Sequence, residues 1–97
     1  MADVSASGGP SGALNIYYNG HFQAVWGTSL SSPIVGGIFG LSGKTDGYPG
    51  KYIWKGSKYL YDIKSGSNGS CGAPLCDAGK GWDGPTGLGT PNGIKAF

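Results

Sequence analysis

The stretch 30–42 contains no charged residue, and apolar side chains recur in it at the spacing of an α-helix. Those side chains are Leu30, Ile34, Val35, Ile38, Phe39 and Leu41. Pro33 fits such a helix only in its first turn, so the pattern predicts a helix over 29–42. Its other face carries glycines, each of which costs about 1 kcal/mol relative to alanine in an exposed helix. We therefore expect a buried central helix with other backbone close to its glycines.

A chain of 97 residues buries only a modest core. It can hardly enclose a helix on all sides and also supply its own sheet. This length corresponds to one domain at most, so residues 1–97 are interpreted as a single unit. Further layers of structure are expected from sequence outside the chain or from a partner chain.

Composition restricts the class of protein. The 21 glycines and 6 prolines alone would suggest disorder, but an aromatic fraction of 12% and a hydrophobic fraction of 38% favour a folded, loop-rich unit. The charged residues are seven lysines and five aspartates, and the lysines are scattered along the sequence. A nucleic-acid partner is not expected, because such proteins cluster lysine and arginine on one face. A membrane partner is not expected either, since no run of 18 apolar residues occurs.

Two segments rich in β-branched and aromatic residues, 13–18 and 22–26, are separated by a turn that begins with Asn19-Gly20. This dipeptide is a strong hairpin signal, so a β-hairpin is predicted at about 13–26. After Ser42 the sequence is interpreted as loop, interrupted by a short apolar run at 59–61. The turn-rich stretch 65–93 is long for a loop in a compact domain, which is typical of a segment that is functional or held by a ligand.

The two cysteines, Cys71 and Cys76, are separated by four residues. A zinc site would need two further Cys or His ligands, and His21 is the only histidine. A local disulfide is therefore favoured over free thiols. It would place the protein in an oxidising compartment, and the low charge content also fits a secreted protein.

The tripeptide Gly27-Thr28-Ser29 lies at the junction between the predicted hairpin and helix. A serine at a strand-to-helix turn exposes its hydroxyl where backbone N–H groups and the helix dipole favour a developing oxyanion. Taken alone, Ser29 is better explained as an ordinary helix-capping serine than as a nucleophile.

Residues 27–33, GTSLSSP, resemble the nucleophile motif Gly-Thr-Ser-x-x-x-Pro shared by subtilisin-like and sedolisin-like serine peptidases. Residues 3–6, DVSA, resemble a segment that precedes the corresponding hairpin in sedolisins. Further blocks resemble the sedolisin calcium region and C-terminal signature in order and spacing: 61–63, 65–69, 78–83 and 86–93. The chain is thus similar to the C-terminal portion of a secreted, bacterial, sedolisin-type peptidase.

This resemblance implies an α/β, subtilisin-like fold, with a parallel sheet flanked by helices and the nucleophile at the start of a central helix. It implies that Ser29 is the nucleophile of a Ser-Glu-Asp triad that cleaves peptide or protein substrates. In the family the glutamate, its aspartate partner and the oxyanion-hole aspartate come from upstream sequence, and this chain has no glutamate. The N-terminal part of the catalytic domain is therefore the expected partner, and the isolated chain is predicted to be inactive.

Two residues of the chain itself are weaker candidates for a base. His21 is predicted to lie in the hairpin turn and to face solvent. Asp3 could approach Ser29, but capping or turn hydrogen bonds explain it better. A serine without an oriented base is a weak nucleophile.

Calcium is the cofactor that the resemblance implies. Asp62 and Asp83 would contribute carboxylates, and Ile63, Gly79 and Gly81 would contribute main-chain carbonyls. Oxygen ligands of this kind suit a hard cation, and glycine loops let carbonyls converge. Without the resemblance, turn hydrogen bonds explain the two aspartates equally well.

Two further interpretations remain. A stand-alone, non-catalytic module could retain this part of the fold for a structural or binding role. A subtilisin-type enzyme with a histidine base is disfavoured by the calcium-type tail.

Overall fold

The computed structural model describes residues 1–44 and 46–97 and is a mixed α/β structure, consistent with a fragment of a larger domain. Thr45, in the region predicted as loop, lies outside the described residues. The helices are α1 (Thr28–Ser42) and α2 (Pro49–Lys55), with 3₁₀ turns at Pro10–Gly12 and Ser57–Tyr59. The strands are β1 (Leu14–Tyr18), β2 (His21–Val25), β3 (Leu60–Tyr61) and β4 (Thr90–Pro91).

Strands β1 and β2 form the predicted hairpin. They pair antiparallel, with Tyr18 opposite His21, so the connection is the two-residue turn Asn19-Gly20. Both turn residues have positive φ, 51° and 86°, which is the conformation that Asn-Gly adopts at low cost. All five residues of β1 are exposed, so the hairpin stands clear of the rest of the described chain.

Helix α1 confirms the predicted helix, which begins one residue earlier than expected and ends at Ser42 as predicted; Gly43, which follows it, is in the left-handed conformation, φ 69°. The expectation for Pro33 was wrong, because Pro33 lies inside the helix as its sixth residue. Proline has no N–H, so the carbonyl of Ser29 lacks the helical hydrogen bond it would otherwise accept. Helix α1 therefore continues through a proline that lies beyond its first turn.

The expectation that α1 is buried was also wrong for this chain. No residue of α1, which lies entirely in the described range 1–44, is buried. A Cβ atom built on Gly36, Gly37 or Gly40 would meet no described atom within 4 Å outside the neighbouring helix backbone. The physical reason is that the described chain contains no second layer to cover this helix.

The hydrophobic core is small and lies to one side of α1. Its buried members are Ile53, Leu60, Ala96 and Phe97. Partly buried side chains of α1 pack against it, and the rings of Phe39 and Phe97 meet edge to face at 5.1 Å between centroids. Helix α1 is therefore attached to the core along one stripe only.

Helix α2 was missed by the sequence analysis, which interpreted this region as loop. It has the usual start and stop signals of a short helix, with Pro49 at its N-terminus and Gly56 after its last residue. Ile53 faces the core and is 2% exposed. Pro49 and the glycines in and around α2 concealed a helix that is only seven residues long.

The turn-rich tail is ordered by short backbone pairings. Strands β3 and β4 pair antiparallel, and isolated bridges join Ser67 to Asp77 and Asp83 to Gly87. Both sheets in the described ranges are two-stranded and antiparallel, so the parallel sheet implied by the resemblance is not found there. Neither helix of the described chain is long and apolar enough to cross a membrane.

The N-terminal segment 2–8 runs along this tail. The Leu88 N–H donates to the Asp3 carbonyl at 2.9 Å, and the Ser5 N–H donates to the Gly89 carbonyl at 3.0 Å. The indole N–H of Trp82 donates to the carbonyl of Ala2 at 3.0 Å. The first residues are therefore fixed to the last part of the chain.

We expect Gly87→Ala and Gly36→Ala to have opposite effects on stability. A Cβ at position 87 would lie 2.5 Å from the Asp3 carbonyl carbon and oxygen, at a φ of +64°. Such an overlap of backbone should cost about 2 kcal/mol or more. Alanine at position 36 meets open space in a helix and should stabilise by about 1 kcal/mol. Urea unfolding of the two variants checks this, and a Gly87→Ala variant as stable as the wild type would contradict the packing of segment 2–8.

Candidate functional site

Ser29 is the second residue of α1, and it is exposed. Gly27 precedes the helix with φ 121°, a conformation that favours glycine, and makes no side-chain cap. Its carbonyl accepts hydrogen bonds from the Leu30 and Ser31 N–H groups at 2.9 and 3.3 Å. The helix start is thus closed by backbone, and Ser29 is not the capping residue that the simpler interpretation offered. Its hydroxyl is presented at a positive helix end.

The two candidate bases within the chain have partners elsewhere. His21 Nδ1 lies 3.2 Å from the carbonyl oxygen of Asn19 in its own turn, and the side chain is exposed as predicted. The Asp3 carboxylate accepts a hydrogen bond from the indole N–H of Trp54 at 2.8 Å. The structure therefore brings neither residue to Ser29 as an oriented base.

Asp83 is the fully buried carboxylate of the tail, with 0% exposure. Its Oδ2 accepts from the Gly79 N–H at 2.9 Å, and its Oδ1 accepts from the N–H and hydroxyl of Thr86 at 2.8 and 2.9 Å. Burial by itself raises the pKa of this carboxyl, but the hydrogen bonds from Gly79 and Thr86 outweigh it. The pKa lies below its ordinary value of 3.8, so Asp83 is ionised at neutral pH.

Asp62 contacts the loop that precedes Asp83. Its Oδ2 accepts a hydrogen bond from the Gly81 N–H at 3.0 Å. Its Oδ1 is buried and has no hydrogen-bond partner among the described residues. A buried carboxylate oxygen without a partner is costly, which makes it a candidate ligand for a cation.

The described contacts among the five residues predicted as calcium ligands are hydrogen bonds from glycine N–H groups to the two carboxylates, and among the described residues no group of three or more His, Cys, Asp or Glu side chains could hold a metal ion. The structure pairs Asp62 with Gly81 and Asp83 with Gly79, while Ile63 follows Asp62 in the chain and is half-buried. A carboxylate can accept about four hydrogen bonds, and Asp83 accepts three, so it retains capacity for a cation. The unpartnered Oδ1 of Asp62 and the remaining capacity of Asp83 are carboxylate oxygens, the kind of donor that calcium takes.

The predicted disulfide between Cys71 and Cys76 is confirmed, with 5.3 Å between the Cα atoms. Backbone hydrogen bonds close the same loop, from Asn68 N–H to the Cys76 carbonyl and from Ala78 N–H to the Gly66 carbonyl. The loop therefore returns the chain to Gly79, next to the Asp83 carboxylate.

Sequence reasoning missed one polar contact on the surface. The Tyr52 hydroxyl donates to the Asp46 carboxylate. This hydrogen bond lowers the pKa of Asp46 and raises the pKa of Tyr52. The pattern of a tyrosine six residues after an aspartate is no recognised signal, and the pair lies outside the two sites described above.

We expect Asp83→Asn to destabilise the chain at neutral pH by about 1–3 kcal/mol, because the amide cannot accept all three hydrogen bonds. The folded-state pKa of Asp83 is lowered, so its ionised form stabilises the fold above pH 3.8. That contribution is lost as the pH falls from 3.8 through the lowered folded-state pKa. Urea unfolding across this acidic range checks both effects.

The Asp83→Asn variant should lose less stability over the acidic range than the wild type does. Asp77→Asn, on the same tail, is the control, because Asp77 takes no part in the hydrogen bonds of Asp83. Equal acid sensitivity in the wild type and Asp83→Asn would contradict this role.

Known proteins are similar to nearly the whole chain. It is 36% identical to aorsin of Aspergillus oryzae over 98 residues, or 93% of this chain. It is 33% identical to sedolisin of Pseudomonas sp. (strain 101) over 98 residues, again 93% of this chain. It is 32% identical to a protein named tripeptidyl-peptidase from Arthroderma otae over 99 residues and the same share.

The chain spans a small part of these relatives, 15% of aorsin, 16% of sedolisin and 14% of the tripeptidyl-peptidase. No protein-family model matches the chain, and no solved structure does.

Proposed function

Since the chain is homologous over nearly all its length to sedolisin-family peptidases, we propose that it is the part of such a peptidase that carries the serine nucleophile. The observation that carries the proposal is the exposed Ser29 at the N-terminus of α1, presented by a positive-φ glycine. Of the chain's serines, Ser29 is the one at which the nucleophile motif and this helix end coincide. The proposed reaction of the whole protein is hydrolysis of peptide bonds in peptides or proteins.

In the proposed reaction the Ser29 Oγ attacks the carbonyl carbon of the scissile bond and passes its proton to a base. The base gives the proton to the amine that leaves as the C–N bond breaks, while the developing oxyanion is stabilised by donors fixed near the helix end. Water then attacks the resulting ester, releases the acid product and returns the proton to Ser29. The chain contains no glutamate, and the described contacts of His21 and Asp3 hold them elsewhere. We therefore assign the glutamate, its aspartate partner and the oxyanion-hole aspartate to the N-terminal part of the catalytic domain.

The exposed surfaces of the chain support a catalytic site divided between this chain and the N-terminal part of the domain. A two-stranded hairpin without cover is marginal in water, and β1 has no buried residue in the described chain. The glycines of α1 face open space, although in an exposed helix each costs about 1 kcal/mol relative to alanine. Both features are explained if the N-terminal part of the domain packs against the hairpin and α1, and so brings the base to Ser29.

Calcium is proposed as the cofactor of the tail. Asp62 and Asp83 would bind it through their carboxylates, and Ile63, Gly79 and Gly81 through main-chain carbonyls. Bound calcium would supply positive charge that holds two acidic loops together, and we assign it no step in peptide cleavage. The buried, unpartnered Oδ1 of Asp62 is the observation that supports this site.

Secretion into an oxidising compartment is proposed on the Cys71–Cys76 disulfide. A reducing compartment would keep the two thiols free.

We predict that the isolated chain hydrolyses no peptide at a useful rate. An oriented general base contributes about 10²–10⁴-fold, and one oxyanion donor about 10²–10³-fold. A fluorophosphonate probe should therefore label Ser29 no more than the other ten serines. Joining the chain to the upstream part of the domain should produce labelling at Ser29 that Ser29→Ala abolishes.

Selective labelling of Ser29 in the isolated chain would contradict the division of the site between two parts. Absence of Ser29 labelling in the longer protein would instead favour the stand-alone, non-catalytic module.

Calcium is predicted to raise the unfolding free energy. A ligand that binds only the folded state at a hundredfold excess over Kd adds about 2.7 kcal/mol. Thermal unfolding with millimolar calcium or with EDTA measures the shift. Asp62→Asn should remove it, and Asp77→Asn should retain it. A shift that persists in Asp62→Asn would place the ion elsewhere, and identical melting curves for the wild type would remove the site.

A further inference from the structure

The turn that presents Ser29 is tied to the N-terminal segment by a second serine. The Ser31 hydroxyl donates to the Ser7 carbonyl at 2.9 Å and lies 3.4 Å from the Gly27 carbonyl. A hydroxyl has one proton, so the shorter contact is the principal hydrogen bond and the longer one a weak second branch. Ser31 is thus the side chain that joins the start of α1 to another part of the chain.

Close packing accompanies this hydrogen bond. A Cβ atom at position 8 would lie 3.2 Å from the Ser31 hydroxyl oxygen and 3.6 Å from the Gly27 carbonyl carbon. Glycine at position 8 therefore lets the N-terminal segment cross directly over the Gly27 turn. The Gly27 turn is therefore held by the close packing of Gly8 and by the hydrogen bond from the Ser31 hydroxyl to the Ser7 carbonyl.

Other restraints on the helix start are few. Gly27 provides no side-chain cap, and Pro33 removes the helical hydrogen bond to the Ser29 carbonyl. The first turn consequently depends on backbone bonds to Gly27 and on the contact with segment 2–8. That segment is itself fixed to the tail at Leu88 and Gly89.

We propose that Ser31 is a positioning residue, which holds the turn that presents Ser29 through its hydrogen bond to the Ser7 carbonyl. The proposal rests on the proposed function, because only a nucleophile needs its hydroxyl fixed to within a fraction of an ångström. Ser31 does not touch the substrate in this role. It acts through the backbone of the turn.

The first test measures amide hydrogen exchange in the 97-residue chain and does not depend on catalytic activity. Amide hydrogen exchange at Leu30 and Ser31, whose N–H groups bond to Gly27, should be about fivefold faster in Ser31→Ala. Ser31→Thr retains the hydroxyl and should exchange as the wild type does. Ser42→Ala is the matched control, because the Ser42 hydroxyl makes a similar bond to the Phe39 carbonyl at the other end of α1. Unchanged exchange in Ser31→Ala would overturn the proposal.

The second test uses the full-length protein that contains this chain. Ser31→Ala should lower kcat about tenfold with KM unchanged, since a small misplacement of a catalytic group lowers the rate without affecting binding. Ser31→Thr should restore kcat, and Ser42→Ala should not change it. A wild-type kcat in Ser31→Ala, or an equal loss in Ser31→Thr and Ser42→Ala, would overturn the positioning role.

Ser29→Ala separates this proposal from the function on which it rests. If Ser29→Ala leaves activity unchanged, the proposed function fails, and the positioning role fails with it whatever the exchange data show. If Ser29→Ala abolishes activity and Ser31→Ala does not reduce it, only the role of Ser31 fails.

Discussion

The buried carboxylate of Asp83 organises the tail of the chain, to which the N-terminal segment is bound. It accepts hydrogen bonds from Gly79 and Thr86, and its own backbone pairs with Gly87. Gly87 in turn packs so closely on the Asp3 backbone that no side chain fits between them. The tail has little regular secondary structure, so a charge-assisted hydrogen-bond network takes the place of a ladder of strands. Through Leu88 and Gly89 the network fixes the N-terminal segment, and through Ser7 that segment reaches the Gly27 turn.

The second constraint is the size of the core. Four buried hydrophobic residues anchor one stripe of α1, while the hairpin and the glycine positions of the helix remain in contact with solvent. Aromatic side chains such as Tyr17 and Phe22 meet edge to face at 5.2 Å, yet Phe22 is 73% exposed. A sequence selected to fold alone would seldom leave so much apolar surface open or place glycines in an exposed helix. The chain spans 14–16% of these relatives, so the proposed covering layers would lie in the rest of such a protein.

Local signals were predictable from the sequence, and features that depend on distant contacts were not. The Asn19-Gly20 turn, the start of α1 near Ser29 and the Cys71–Cys76 disulfide were predicted, because each rests on neighbouring residues. The expected burial of α1 was wrong for the described chain, because an uncharged apolar helix sequence does not say whether covering layers lie within the same chain. Helix α2 was missed because it is short and contains or adjoins several glycines and a proline. Turn hydrogen bonds were one of the two interpretations offered for Asp62 and Asp83, and the structure shows such bonds from Gly81 and Gly79, whereas the hydrogen bond of Ser31 had no signal in the sequence.

In the proposed peptidase, the exposed hairpin and α1 are surfaces that the rest of the domain covers. Amide hydrogen exchange of these residues, measured in the isolated chain and in the full-length protein, distinguishes covered from uncovered surfaces. We expect β1, β2 and the glycine-bearing part of α1, residues 34–42, to exchange rapidly in the isolated chain and to become protected in the full-length protein, while the amides bonded to Gly27 and those bonded around Asp83 are protected in both. Equal protection of α1 and the hairpin in the two proteins would contradict it.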